Sequence, residues 1–255
     1  MSDFSSRFVR MQVYADLEIK PVIIIAVIFL FTAVMDIITQ IFLPDILKAA
    51  GVEVINLPKS SMTTVFQNVW GDFLTTGTLV VIYYGSTAFS SDINNDRSIY
   101  FYLSHPVTKR TYFIDRSLIK MGMVFVVCVL ASLTTFLITS LFYHPISIIR
   151  IIVGSMVIGL GLVSILGVVL MFNSKFSTSS SIGLGLGFFI IMGLVQYLSS
   201  FVSWFSWLSP MALTHIWVKI LVGNYHDFIG HVLGILGWAL FSMIIGIKSF
   251  NSRDI

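Results

Sequence analysis

Charge is scarce in this 255-residue chain. Only 11% of its residues are charged and 56% are hydrophobic, whereas soluble domains carry about 25% charged residues. A water-soluble fold could not hide that much apolar surface, so the solvent is expected to be lipid. Strict apolar/polar alternation over ~10-residue strands is also missing, which disfavours a membrane barrel and leaves helices. Cysteine occurs once, at Cys128, so no intrachain disulfide can form and redox chemistry is not expected. The five histidines, His105, His144, His215, His226 and His231, form no H-E-x-x-H pair and read as satisfied or solvated, with no metal site. No G-x-S-x-G elbow is present. A G-x-x-x-x-G-K-S/T loop is absent as well, so no nucleotide site of Walker type and no enzymatic activity is expected of the chain itself.

What fills the sequence is six long apolar runs, at 21–43, 69–90, 117–142, 148–172, 182–203 and 228–247, and the mean hydropathy is +0.94. Each run approaches the ~20 residues needed to cross ~30 Å of hydrocarbon. Pro21 opens the first run and Pro44 closes it, while Pro58, Pro106, Pro145 and Pro210 fall in connections, where a missing N–H costs little. Gly183-x-x-x-Gly187 and Gly230-x-x-x-Gly234 have the spacing that lets helix backbones approach closely. No strand precedes Gly183-x-Gly185-x-Gly187, so it is not a dinucleotide loop. The expected fold class is an all-α integral membrane protein: one transmembrane domain of six helices.

Lys and Arg set the orientation. With both termini inside, eleven of them fall in inner segments and only Lys48, Lys59, Arg150 and Lys219 outside, so the positive-inside rule places both termini in the cytoplasm of a multi-pass cell-membrane protein. The net charge of +3 then reads as an orientation signal and a match to anionic lipid, not as a nucleic-acid footprint. Asp3, Asp16 and Glu18 interrupt the N-terminus and no small-residue cleavage site follows the first run, unlike a cleaved signal peptide. Phe4, Phe8, Met11, Ala15 and Ile19 recur at helical spacing, which predicts an amphipathic interfacial helix over 3–19, with a disordered tail as the alternative.

The clearest functional signal is the polar inner segment from Ser91 to Lys120. Ser90, Ser91 and Asp92 are helix-capping residues. Ile99, Tyr102 and Leu103 follow at i, i+3 and i+4, and Pro106 disfavours helix in the residue before it. This predicts a short, half-apolar helix over about 92–104, which lies on lipid or plugs into a groove of a cytoplasmic partner.

That segment resembles the pattern S-x-E-R-x-x-G-T-x-x-x-L-L-S-x-P-V-S/T-R of ABC-2 type transporter permeases. Ser91, Arg97, Leu103-Ser104, Pro106-Val107-Thr108 and Arg110 match, with Arg116 and Lys120 following; Ser98 stands where the family usually has glycine, and Asp96-Arg97 where Glu-Arg or Glu-Lys is common. The C-terminal Phe250-Asn-Ser-Arg253-Asp254-Ile255 is similar to the family's ending F-x-R-R-D-I/L/V. The resemblance implies a permease subunit of an exporter that pairs with a second copy or a paralogous permease. Two cytoplasmic ATP-binding subunits would dock beneath and use ATP and Mg, while this chain binds no cofactor directly. It further implies that 92–104 is the coupling helix, with Ile99, Tyr102 and Leu103 in a groove of the ATPase, Asp96 and Arg97 at its rim, and Pro106 closing the helix.

Inside the runs the polar residues are few. Asp36 shares the first with Thr32, Thr39 and Gln40, and Asp72 begins the second, followed by Thr75 and Thr76. A carboxylate at the bilayer centre costs roughly 2.5–3.5 kcal/mol on insertion scales. Asp36, Gln40 and Asp72 are therefore the candidates for a transport pathway or dimer seam, and snorkelling to the interface is the alternative for Asp36. Trp204, Trp207, Trp217 and Tyr225 mark 204–227 as an interfacial segment; the family's outer re-entrant helices are similar. Two other classes stay open: a secondary transporter driven by an ion gradient, which needs buried acids or broken helices, and a non-transporting assembly or scaffold protein.

Overall fold

The computed structural model describes residues 2–51, 61–89, 108–199, 201–202, 207, 209–210, 213–223 and 228–252, with side chains for all of these except 2–18, 43–46 and 213–215. The described secondary structure is helical: α1 Ser2–Ala49, α2 Met62–Ser86, α3 Lys109–Thr139, α4 Ile148–Asn173, α5 Thr178–Leu198, α6 Leu213–Val222 and α7 Phe228–Asn251. Five stretches are long and apolar enough to cross a membrane: Ile19–Phe42 within α1, together with α3, α4, α5 and α7. The second expected span coincides with α2, which does not qualify by composition.

The reason lies in where α2 sits. It packs against α1, α4, α5 and α6, and Val65, Phe66, Val69, Trp70, Phe73 and Leu74 are fully buried. It turns only a narrow stripe outward, through Asn68, Thr75, Leu79 and Tyr83, so it need not be apolar on every face. Central α4 touches α2, α3, α5, α6 and α7. By contrast, α1, α5 and α7 each turn a broad apolar face outward, with Phe31, Ile190 and Leu240 more than 60% exposed. Such faces suit lipid.

Element boundaries follow local chemistry. The first helix does not stop at Pro21 or Pro44 but runs through both, so residues 3–19 continue into the first span where a separate interfacial helix was expected. Each proline deletes one backbone hydrogen bond, and the turns on either side carry the helix past it. The third helix starts eight residues before its apolar run, because Thr108 caps it: the Thr108 hydroxyl accepts the Thr111 N–H at 3.2 Å. Ser61 and Ser177 cap α2 and α5 in the same way.

Close packing is concentrated where large rings meet glycine. Trp70 is fully buried, donates its indole N–H to the Ser132 hydroxyl at 3.2 Å, and lies so near Gly154 that a Cβ there would fall 2.1 Å from the ring. The Gly230-x-x-x-Gly234 pair receives Trp207: a Cβ on Gly234 would meet its carbonyl oxygen at 2.1 Å, and one on Gly230 its indole at 3.3 Å. Gly183 and Gly187 have no described atom within 4 Å of a Cβ, whereas Gly185 between them packs on Ile82 and Val169. Among the described residues the close approach on α5 therefore belongs to Gly185.

Candidate functional site

One end of the bundle gathers the residues that flank segment 90–107. Phe89, just past α2, stacks on Phe113 of α3 with ring centroids 5.0 Å apart and meets Phe250 of α7 at 5.2 Å. Phe113 and Phe250 are 5.6 Å apart, and Tyr112 stacks on Phe250 at 5.9 Å. All four rings are fully buried. The two ends of 90–107 are thus tied to each other and to the last helix by one aromatic knot; offset and tilted ring pairs of this kind add about 0.5–1.5 kcal/mol each beyond area burial.

A buried amide secures the same junction. Asn173, the last residue of α4, accepts the Phe89 N–H at 2.8 Å through Oδ1 and donates through Nδ2 to the Ser86 carbonyl at 2.5 Å and the Ser181 hydroxyl at 3.4 Å. Ser86 ends α2, at the turn where helix carbonyls look beyond their own ladder for partners. Asn173 bonds that carbonyl from another helix and reaches α5 through Ser181.

Just above, the first turns of α3 carry Asp115, Arg116, Ser117 and Lys120, all buried. Lys120 sets its ammonium 3.7 Å from the centre of the Tyr84 ring, a cation–π contact that substitutes for water. Asp115, Arg116 and Lys120 each take part in further interactions, as buried charges must. Arg116 and Lys120, which the sequence marks only as following the inner segment, are thus structural members of its junction.

The structure places the other candidate residues as follows. Asp96, Arg97, Ile99, Tyr102, Leu103 and Pro106 lie outside the described residues. Asp36 of α1 and Asp72 of α2 are each partly buried, on two helices that pack against one another. One carboxylate oxygen of Asp36, Oδ2, is buried with no hydrogen-bond partner among the described residues. The nearby threonines do not supply one, since Thr32 donates to the Phe29 carbonyl and Thr75 to the Gly71 carbonyl of their own helices. Gln40, one turn beyond Asp36, is partly buried and engaged in an interaction of its own. Of 204–227, Ile216, Trp217, Ile220 and Leu221 are buried and the Ser209 hydroxyl donates to the Met192 carbonyl at 3.0 Å, while Trp207 and Val222 are exposed.

Sequence reasoning missed Asn173 and the aromatic knot. Asn173 precedes Ser174-Lys175 at the end of an apolar run, where a polar residue reads as the span's interface. No signal along the chain pairs it with Ser86, 87 residues earlier. Among the described residues, no group of three or more histidine, cysteine or acidic side chains could hold a metal ion.

Set against known proteins, the chain matches no protein-family model and no curated protein.

Proposed function

We propose that this chain is the membrane-spanning permease subunit of an ABC-2 type transporter, an exporter in which separate ATP-binding subunits drive the movement of substrate. In this reading α2 is the sixth crossing, both termini face the cytoplasm, and segment 92–104 is the coupling helix. The observation that carries it is a convergence. The two stretches of sequence that resemble the family, Ser91 to Arg110 and the ending from Phe250, are far apart in the chain, yet Phe250 packs directly on Phe89 and Phe113 at the two ends of the first. A push on the segment would enter α2, α3 and α7 through one buried knot, and α4 and α5 through Asn173. Coupling needs that kind of mechanical continuity, with the bundle supplying the element of two arrangements.

The test is co-purification with the ATPase subunit and transport-stimulated ATP hydrolysis. Tyr102→Ala with Leu103→Ala removes two apolar anchors, each commonly worth about 2 kcal/mol or more at an interface, so recruitment or coupling should be lost while insertion persists. Asn94→Ala with Asn95→Ala should leave both intact. Equal behaviour of the two pairs, or recovery of no ATPase, refutes the reading.

Asp36 and Asp72 favour a second reading, a carrier that uses an ion gradient. Acids within the helices are where such a carrier would bind its coupling ion. Transport by the chain alone in vesicles, driven by an imposed proton or sodium gradient and abolished by Asp36→Asn, would select it over the first.

A further inference from the structure

We propose that the groove between the far ends of α1 and α3 is a lipid site, in which one acyl chain of an anionic phospholipid lies and Lys48 meets its phosphate. Such a site requires a membrane-embedded bundle and nothing of the transporter reading.

The groove arises because two packed helices end at different levels. α1 and α3 lie against each other, but α3 stops at Thr139, where the chain turns through 140–143, while α1 runs on to Ala49. Between them opens a groove of about 210 Å³, walled by Val34, Ile38, Ile41 and Phe42 of α1 and by Ile138 and Phe142. Phe42 and Phe142 are each more than half exposed, so the groove faces the bilayer and a lipid enters it without the helices parting.

Shape and chemistry narrow the occupant. All the walls are hydrocarbon, so whatever fills the groove must be apolar there, since a polar group would lose water and gain no partner. An apolar cavity of about 150 Å³ already takes up benzene. The walls run from Val34 to Phe42, about 12 Å along the helix at ~1.5 Å per residue. A slot of that volume and length is too narrow for a second helix, about 10 Å across, and suits one extended hydrocarbon chain.

Charge sets the headgroup end. Phe42 closes the stretch of α1 suited to the membrane interior, so this end of the groove lies at the depth of the headgroups. Lys48 stands two turns beyond Ile41 on the same face of the helix, at i and i+7. It is exposed and forms no ion pair among the described residues. A lysine there reaches back along the helix to the interface, where the phosphate of a lipid whose tail fills the groove is the complementary charge. A neutral apolar partner would leave it unmet.

Photocrosslinking of the full chain tests this, in phosphatidylcholine nanodiscs that hold a minor fraction of phosphatidylglycerol with a diazirine on one acyl chain. Adducts mapped by mass spectrometry should be about fivefold more frequent on 34–42 and 138–142 than on Ile190, Ile191 and Leu194 of α5, which are exposed, as one exposed ion pair at the upper end of its range would give. Ile38→Trp, which fills the groove from a half-exposed wall, should abolish the excess. Lys48→Gln should abolish the preference for labelled phosphatidylglycerol over phosphatidylcholine with the same label. Equal adducts at the two places mean ordinary annular lipid and overturn the site; a headgroup preference that survives Lys48→Gln overturns the role of Lys48. Should Ile38→Trp fail to fold, competition in the wild-type chain decides. Unlabelled phosphatidylglycerol should then displace the adducts on 34–42 at least about threefold more strongly than phosphatidylcholine does, and equal displacement overturns the proposal.

Discussion

Replacing Asn173 by alanine tests the junction at its centre. The fully buried amide satisfies the Phe89 N–H and the Ser86 carbonyl, at 2.8 and 2.5 Å, while its contact to Ser181 is long at 3.4 Å. Alanine leaves the first two groups without that partner in a buried place. A buried group that loses its partner costs about 1–3 kcal/mol, and hydrogen bonds between membrane helices measure about 0.6–1.7 kcal/mol. Two such losses give a destabilisation of about 2–3 kcal/mol by reversible unfolding in mixed detergent followed by circular dichroism. Ser181→Ala is the control: its hydroxyl also donates to the Ser177 carbonyl of its own helix at 2.8 Å, so its loss should cost less than about 0.5 kcal/mol. Asn173→Asp keeps the acceptor for Phe89 but turns a lone pair toward the Ser86 carbonyl, and should be at least as damaging as alanine. Stability of Asn173→Ala within 0.5 kcal/mol of wild type, or equal to that of Ser181→Ala, would refute the clamp.

Gly154→Ala should destabilise by about 1–3 kcal/mol through overpacking and should displace Trp70 from Ser132, visible as a change in tryptophan emission that is absent in a Trp70→Phe background. Gly183→Ala, with open space around it, should instead be neutral or gain about 0.5–1 kcal/mol from helix propensity in the same unfolding assay. In Gly234→Ala the new methyl meets a backbone oxygen rather than a movable side chain, so limited proteolysis near residue 207 should accelerate. Reporter tags at Lys109 or Lys175 should be cytoplasmic and tags near Asn56 or Asn224 external; finding Asn56 and Lys109 on one side would overturn the six-span topology.

How much was legible beforehand can be judged residue by residue. The apolar runs gave five of the helices, because span length and hydropathy are local properties. The sixth, α2, is less apolar, with five threonines, Gln67, Asn68 and Asp72 along its length, and its packing among other helices accommodates them. Pro44 follows the apolar stretch Ile19–Phe42 but Pro21 lies within it, and helix continues past both, since a helix can outrun the segment suited to lipid. Asp36 and Asp72 stand out as costly carboxylates from the sequence, whereas the packing of their two helices against one another is not foreseeable from a spacing of 36 residues. Nothing in the chain announced that Gly234 would seat the Trp207 carbonyl, because a glycine pair at that spacing says only that something comes close.

The sequence by itself determined the solvent, the helical class and the polar segment between the second and third runs, since each depends on the chemistry of contiguous residues. Only the tertiary structure decided which polar groups become partners: Asn173 with Ser86 and Phe89, Trp70 with Ser132, Arg150 with Leu221, Lys120 with Tyr84. In an apolar interior an unmet polar group is costly, so a partner is favoured, but many arrangements of helices could supply one. Packing selects among them, through ring against glycine and helix end against side chain, and that choice is made in three dimensions by residues 36 to 87 positions apart.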